Sequence, residues 1–210
     1  SLTFEIGHSG RLVDDPATKT IYPTATSPAF YYQGSYLIGD TMQNGRGYWL
    51  RFTSDEPVKI TGDSLAFDSV PVSSQWNLLG SISARIPVSS VESDPPGIIV
   101  SRYFGFSSGY HVIDSIAPGT ASWVKTSSAG RLVLTQSLAK QSIAEGAGDD
   151  LASLDQLTLT DASGSGQTLY FGEAAGAPGT VDVRKYDLPP APPGDLLDEA
   201  HPTMRALLLW

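Results

Sequence analysis

Residues 29–61 read AFYYQGSYLIGDTMQNGRGYWLRFTSDEPVKIT, and residues 103–135 read YFGFSSGYHVIDSIAPGTASWVKTSSAGRLVLT. Slid by 74 positions, the two stretches align without a gap. Phe30 meets Phe104, Tyr36 meets Tyr110 and Asp40 meets Asp114. Gly45 meets Gly119, Trp49 meets Trp123 and Thr61 meets Thr135. So many identities at one offset point to an internal duplication, which must be sought before any fold is assigned. Each unit ends on a Gly-x-x-x-Trp strand.

One unit is readable residue by residue. Phe30–Tyr32 and Tyr36–Ile38 are aromatic, β-prone runs parted by Gln33-Gly34, the pattern of a hairpin. Asn44-Gly45 and Pro118-Gly119 are turn dipeptides at matching positions. The next strand carries Trp, an aliphatic residue and a cation: Trp49-Leu50-Arg51 and Trp123-Val124-Lys125. Strand alternation puts Trp and cation on one face and the aliphatic residue on the other. Val58 and Ile60, like Leu132 and Leu134, alternate with polar residues as in a half-buried strand.

Between the units, residues 64–83 (SLAFDSVPVSSQWNLLGSIS) predict two strands joined at Ser73-Ser74-Gln75. Trp76-Asn77-Leu78-Leu79-Gly80 opens the second unit. Its counterpart near Leu2–Ile6 matches poorly, so a trimmed N-terminus is expected. Ile86-Pro87-Val88 predicts an extended stretch, and Asp94-Pro95-Pro96-Gly97 a sharp turn. Beyond Leu138 the texture changes. Residues 138–151 predict a short helix weakened by Gly146 and Gly148. Residues 154–160 and 167–171 predict a hairpin across the turn 161–166. Residues 188–194, LPPAPPG, predict a polyproline-like segment, exposed or packed on an edge. Residues 196–210 permit a short helix interrupted at Pro202.

The expected fold is therefore all-β. Two tandem similar units, 1–63 and 64–137, are followed by a third, sandwich-like β segment, 138–210. Composition agrees: 17% charged residues, 21 Gly and 15 Pro suit short strands and tight turns. A net charge of −9 repels nucleic-acid phosphates and anionic membrane surfaces. No run approaches the ~18 apolar residues of a membrane-spanning helix, and no basic start followed by an apolar core marks a signal peptide. The chain has no Cys, which removes disulfides, thiolate metal sites and Cys nucleophiles.

A search for chemistry finds little. His8, His111 and His201 are scattered, without zinc-ligand spacing. No G-x-S-x-G elbow is present, and Gly105-Phe106-Ser107-Ser108-Gly109 is only a loose echo of one. The acidic pairs Asp14-Asp15, Asp55-Glu56, Asp149-Asp150 and Asp198-Glu199 sit in polar, turn-like stretches rather than in an aromatic cleft pattern. No catalytic residue, metal or cofactor is expected. Asp40 and Asp114 read best as carboxylates that cap a turn or bind backbone amides, and otherwise as a ligand contact used twice. Tyr36, Tyr48, Trp49, Tyr110 and Trp123 are the candidate sugar-stacking platform. The competing reading makes Trp49 and Trp123 equivalent core anchors, because a core must be rebuilt in each unit. In that reading Phe30, Asp40, Gly45, Trp76, Phe104, Asp114 and Gly119 are structural too.

Trp76-Asn77-Leu78-Leu79-Gly80, Pro118-Gly119 and Trp123-Val124-Lys125 resemble a "GWNLIG … PGxGYWVK" repeat of large secreted proteins of Bacteroidota and neighbouring phyla. LDQLTLTDASGSGQTLYFGE and YDLPPAPPG resemble the module that follows it there. The resemblance spans roughly residues 30–194. Thr120-Ala121-Ser122 replaces the expected Gly-Tyr in the second unit, whereas Gly47-Tyr48 keeps it in the first. The resemblance implies an extracellular or surface-attached product of type IX secretion, with an accessory rather than catalytic role. The expected partners are other copies of the chain or other domains of the same protein, with a glycan as the alternative.

Overall fold

In the computed structural model, residues 3–7, 11–12, 15–53, 60–107, 109–136, 155–160, 166–171 and 187–194 are described. The protein is nearly all β. Its strands are β1 (Thr3–Gly7), β2 (Arg11–Leu12), β3 (Ala29–Tyr32), β4 (Tyr36–Gly39), β5 (Tyr48–Phe52) and β6 (Asp63–Ser64). Then come β7 (Phe67–Val72), β8 (Gln75–Leu79), β9 (Ile86–Pro87), β10 (Glu92–Asp94), β11 (Tyr103–Phe106) and β12 (Tyr110–Ile113). The last are β13 (Ser115–Ile116), β14 (Ser122–Thr126), β15 (Gly130–Thr135), β16 (Asp155–Thr160) and β17 (Gly166–Phe171). One short helix, α1 (Thr18–Ile21), and a 3-10 turn at Val88–Ser90 interrupt them.

Three sheets make the body. The first has the order β1-β5-β3-β4, the second β12-β11-β14-β8, and the third β10-β15-β7. All their pairings are antiparallel. Alternation along the strands sends side chains to two faces, and both faces are buried in the central layers. Phe30, Trp49, Leu78, Phe104 and Trp123 fill the space between the first and second sheets. On the far side of the first sheet, Ala29, Tyr48, Leu50 and Phe52 pack with Ile21, Tyr22 and Met42. On the far side of the second, Leu79, Tyr103 and Val124 pack with Val70, Val72, Leu132 and Leu134 of the third. The result is a layered, sandwich-like stack.

The 74-residue offset recurs in the geometry. Phe30 stands opposite Trp49, and Phe104 opposite Trp123. The Thr26 N–H donates to the Arg51 carbonyl, and the Val100 N–H to the Lys125 carbonyl. The Ser27 hydroxyl accepts from the Arg51 N–H (2.9 Å), and Ser101 from the Lys125 N–H (2.8 Å). Elsewhere the offset slips. Ile6 faces Trp49 as Leu78 faces Trp123, and Phe4 faces Arg51 as Trp76 faces Lys125. These pairs lie 72 residues apart. The poor match near Leu2–Ile6 is thus a slip of two residues, and a strand equivalent in register to β8 is present.

Other expectations find their places. The β3–β4 and β11–β12 hairpins form. β7 and β8 do not pair with each other; β7 joins β15 and β8 joins β14, so Ser73-Ser74 carries the chain between sheets. Gln75 adopts φ +79 there. Val88–Ser90 is a tight 3-10 turn rather than extended chain. β6 lies across the expected 63/64 junction and pairs back to β2. β16 and β17 form their own two-stranded ladder. Val58, the 138–151 helix, the 161–165 turn and residues 196–210 lie outside the described residues.

The two turn glycines share a backbone and differ in surroundings. Gly45 has φ +73 and Gly119 φ +76, both in the left-handed region. A Cβ on Gly45 would lie 2.6 Å from Val70 Cγ2 and 2.8 Å from Asp68 Oδ2, whereas one on Gly119 meets nothing within 4 Å. The left-handed penalty for an L residue is about 1–2 kcal/mol, and overpacking adds about 1–3 kcal/mol. Gly45→Ala should therefore lose clearly more stability than Gly119→Ala in urea denaturation. Equal losses would show that the Gly45 turn does not bear on the third sheet.

Asp68, beside that turn, yields a pH prediction. Its Oδ1 accepts the Ser69 N–H (2.7 Å), but its Oδ2 is buried without a partner. Burial raises its pKa, opposed by the Ser69 N–H and by Arg131. The folded carboxyl therefore holds its proton more tightly than the unfolded chain does. Its contribution to stability is present at low pH and is lost as pH rises above the ordinary value of 3.8 and through the folded value. Relative to the parent, Asp68→Asn should gain stability progressively as pH rises from 3.8 through the raised folded value, and no further above it. A difference in denaturation midpoint that stays constant with pH would refute this.

Candidate functional site

Four of the five candidate ring residues meet in the core between the first and second sheets. Trp49 and Trp123 are both 0% exposed. Trp49 packs edge-on against Phe106 at 5.0 Å, and Trp123 packs against Tyr32 at 5.0 Å. Tyr32 and Phe106 are themselves 74 residues apart. Each tryptophan is therefore sandwiched by the equivalent ring of the other unit, an approximately two-fold exchange of contacts. Gly47 and Ala121, another pair at this offset, also face each other. A Cβ on Gly47 would lie 2.6 Å from Ala121 Cβ.

Tyr48 is the exception. It follows the opposite face of β5 and packs with the helix-side core. Its hydroxyl accepts from the Gln43 N–H (3.0 Å) and donates to the Thr41 carbonyl (3.3 Å). It does not join a platform with Trp49, because adjacent strand residues point to opposite faces. Asp40 and Asp114 also act differently from expectation. Their main-chain carbonyls, not their carboxylates, make the equivalent contacts, accepting the Thr18 N–H (2.8 Å) and the Val88 N–H (2.9 Å). The Asp114 carboxylate accepts only the neighbouring Ser115 hydroxyl among the described residues.

The proline-rich segment lies over this aromatic cluster. Leu188 packs against it, and Pro189 and Pro193 are buried. The hydroxyls of Tyr36 and Tyr110 both donate to the Pro190 carbonyl. A carbonyl has two lone pairs, so one acceptor serves both phenols. Burial pushes both phenols well above their ordinary range. At one end of the segment the Asp187 carboxylate pairs with the Lys125 ammonium. Lys125 is buried, and its ammonium stands 5.8 Å from the centre of the Trp76 ring. The sequence predicts this segment to be exposed or packed on an edge, and it is instead docked over the rings, with Pro189 and Pro193 buried. Its docking over rings as much as 154 residues away leaves no local signal.

Other places offer less. An open cleft of about 370 Å³ is lined by Arg85, Phe106, His111, Ser115 and the Ala117–Ala121 turn. It holds one imidazole and no carboxylate to orient it, and Arg85 donates to Ser115 Oγ (3.0 Å). Among the described residues no group of three or more His, Asp or Glu is placed to hold a metal ion. No helix among them is long and apolar enough to cross a membrane. The fold defines an all-β, sandwich-like protein. The chain matches no known protein family, no curated protein and no solved structure.

The Lys125–Asp187 pair is unevenly buried, with side-chain exposures of 7% and 38%. Removing the carboxylate strands a buried ammonium, whereas removing the ammonium leaves a carboxylate that water can reach. Asp187→Asn should thus cost about 1–3 kcal/mol, the cost of an unsatisfied buried donor, and Lys125→Met distinctly less, in chemical denaturation. The opposite ranking would mean that Lys125 is solvated without its partner.

Proposed function

We propose that this chain is a non-catalytic structural and interaction module of a secreted or cell-surface bacterial protein, built on a duplicated β unit and able to self-associate. One observation carries the reading. Trp49 and Trp123 have no exposed surface, and the Tyr36 and Tyr110 hydroxyls are spent on Pro190. The rings that looked most like a ligand platform are used to join the two units and hold down the proline-rich segment. A sugar-stacking surface needs exposed ring faces; the two indoles offer none, and the two half-buried phenols carry the proline-rich segment at their hydroxyls.

Two features support self-association. β4 and β12 are edge strands of their sheets, with unpaired backbone groups on one side. Each carries exposed apolar residues, Ile38 at 60% and Val112 at 50%, again 74 positions apart. Such edges can add strands from another molecule. The extracellular location rests on the resemblance to secreted repeat proteins.

Sedimentation velocity on the full chain, combined with tryptophan fluorescence during titration with soluble polysaccharides, tests the proposal. The expected result is concentration-dependent assembly and no change in emission with any glycan. A monomer at all concentrations whose emission shifts saturably with a polysaccharide would overturn it in favour of a carbohydrate-binding module.

A further inference from the structure

We infer that the groove between the two β units is a peptide site for a polyproline-type segment led by a carboxylate, and that chains join by exchanging residues 187–194 into this site on a second copy. The inference rests on the self-association proposed above and names its contact.

The groove has the parts that recognise a polyproline ligand. Aromatic rings form its floor, as such ligands favour, because an extended proline segment arrives already ordered. Hydroxyl donors from two edge strands converge on the Pro190 carbonyl. A buried ammonium at one end takes the Asp187 carboxylate, which fixes direction. Leu188 packs against the rings, and Pro189 and Pro193 are buried. The segment joins no sheet. Among the described residues its polar contacts to the body are two hydroxyl bonds and one ion pair, as a docked peptide makes rather than a strand.

Nothing in these contacts requires the segment to come from the same chain. Residues 136–186, which include β16 and β17, stand between it and the last strand of the third sheet. The advantage of an own-chain segment is its effective concentration, on the order of millimolar at most and falling as the connection lengthens. A neighbouring copy competes once chains crowd to that range. Exchange creates no new contact, so it joins chains without altering either sheet pair.

Zero-length carbodiimide coupling tests this on the full chain. It links a carboxylate directly to the amine it touches, so the buried Lys125 needs no access to the reagent beyond that of Asp187. Isotopically light and heavy chains are mixed in urea, refolded together over a range of concentrations, coupled and digested. The expected result is a Lys125–Asp187 link whose mixed-isotope share rises with concentration toward about half, the limit for two equal pools that exchange freely. Asp187→Asn chains, run in parallel, should lose the link. Like-isotope links alone, at every concentration, would overturn the exchange. If sedimentation still shows assembly in that case, the self-association reading stands and the edge strands carry it. Absence of the link in any isotope combination would overturn the peptide site itself.

Discussion

Everything in the body of this protein depends on the reciprocal packing of Trp49 and Trp123. Each indole is covered by a ring that belongs to the other unit, Phe106 for Trp49 and Tyr32 for Trp123. An aromatic side chain of this size buries about 150–250 Å². At about 25 cal/mol per Å², that corresponds to several kcal/mol for each as an upper bound. Both indole N–H groups are buried with a tyrosine hydroxyl as neighbour, Tyr36 for Trp49 and Tyr110 for Trp123, in geometry short of a full hydrogen bond. Even a wholly unmade bond costs only about 1–3 kcal/mol, so the apolar gain exceeds it. Neither unit can supply this covering ring alone. The first and second sheets are therefore stable as a pair, and the outer layers attach to faces that the pair presents.

Much of this was legible because it is written locally and written twice. The aromatic runs on either side of Gln33-Gly34, the turn glycines at 45 and 119 and the Trp–aliphatic–cation triplets fix hairpins, turns and strand faces. The face rule held, since Trp123 and Lys125 share one side of β14 while Val124 enters the other core. Half-burial held on β15, where Leu132 and Leu134 are buried while Arg131 and Thr135 are exposed. Tyr48-Trp49-Leu50 and all five residues of β14 are buried, which is what a central layer requires. The unbroken run Tyr48-Trp49-Leu50 was the signal for it. Ser27 and Ser101 carried another signal, two residues before the first aligned phenylalanines' strands begin, at the same offset. Their hydroxyls pin the Arg51 and Lys125 amides, a role that becomes readable only once strand pairing is known.

The site was less legible for a physical reason. Whether a ring lines a surface or a core is decided by what covers it, and the cover here comes from remote sequence. Tyr36 and Trp49 look identical in a ligand platform and in a core. Their hydroxyl and indole reach Pro190 and Phe106 through contacts of long sequence separation. Tyr48 was misplaced by the same limitation. Its neighbour Trp49 suggested a shared surface, but strand alternation sends it to the helix side, where the Gln43 amide and Thr41 carbonyl already satisfy its hydroxyl.

The proline-rich segment shows how an approximately symmetric pair of units acquires a direction. One segment lies over two equivalent sets of rings, so Pro190 can sit near the axis and accept both tyrosines with its two lone pairs. A symmetric groove alone would not distinguish the two ways of laying the segment across it. Asymmetry enters at the cation that follows each tryptophan. Lys125 is buried and pairs with Asp187, while its counterpart Arg51 is half-buried on the first sheet. A compact ammonium can be enclosed beside Trp76 once a carboxylate is at hand. An unpaired buried ammonium is costly, so the Lys125 end of the groove demands the acidic end of the segment. Matched rings from the two units thus build the groove, and the difference between Lys125 and Arg51 at one matched position orients what lies in it.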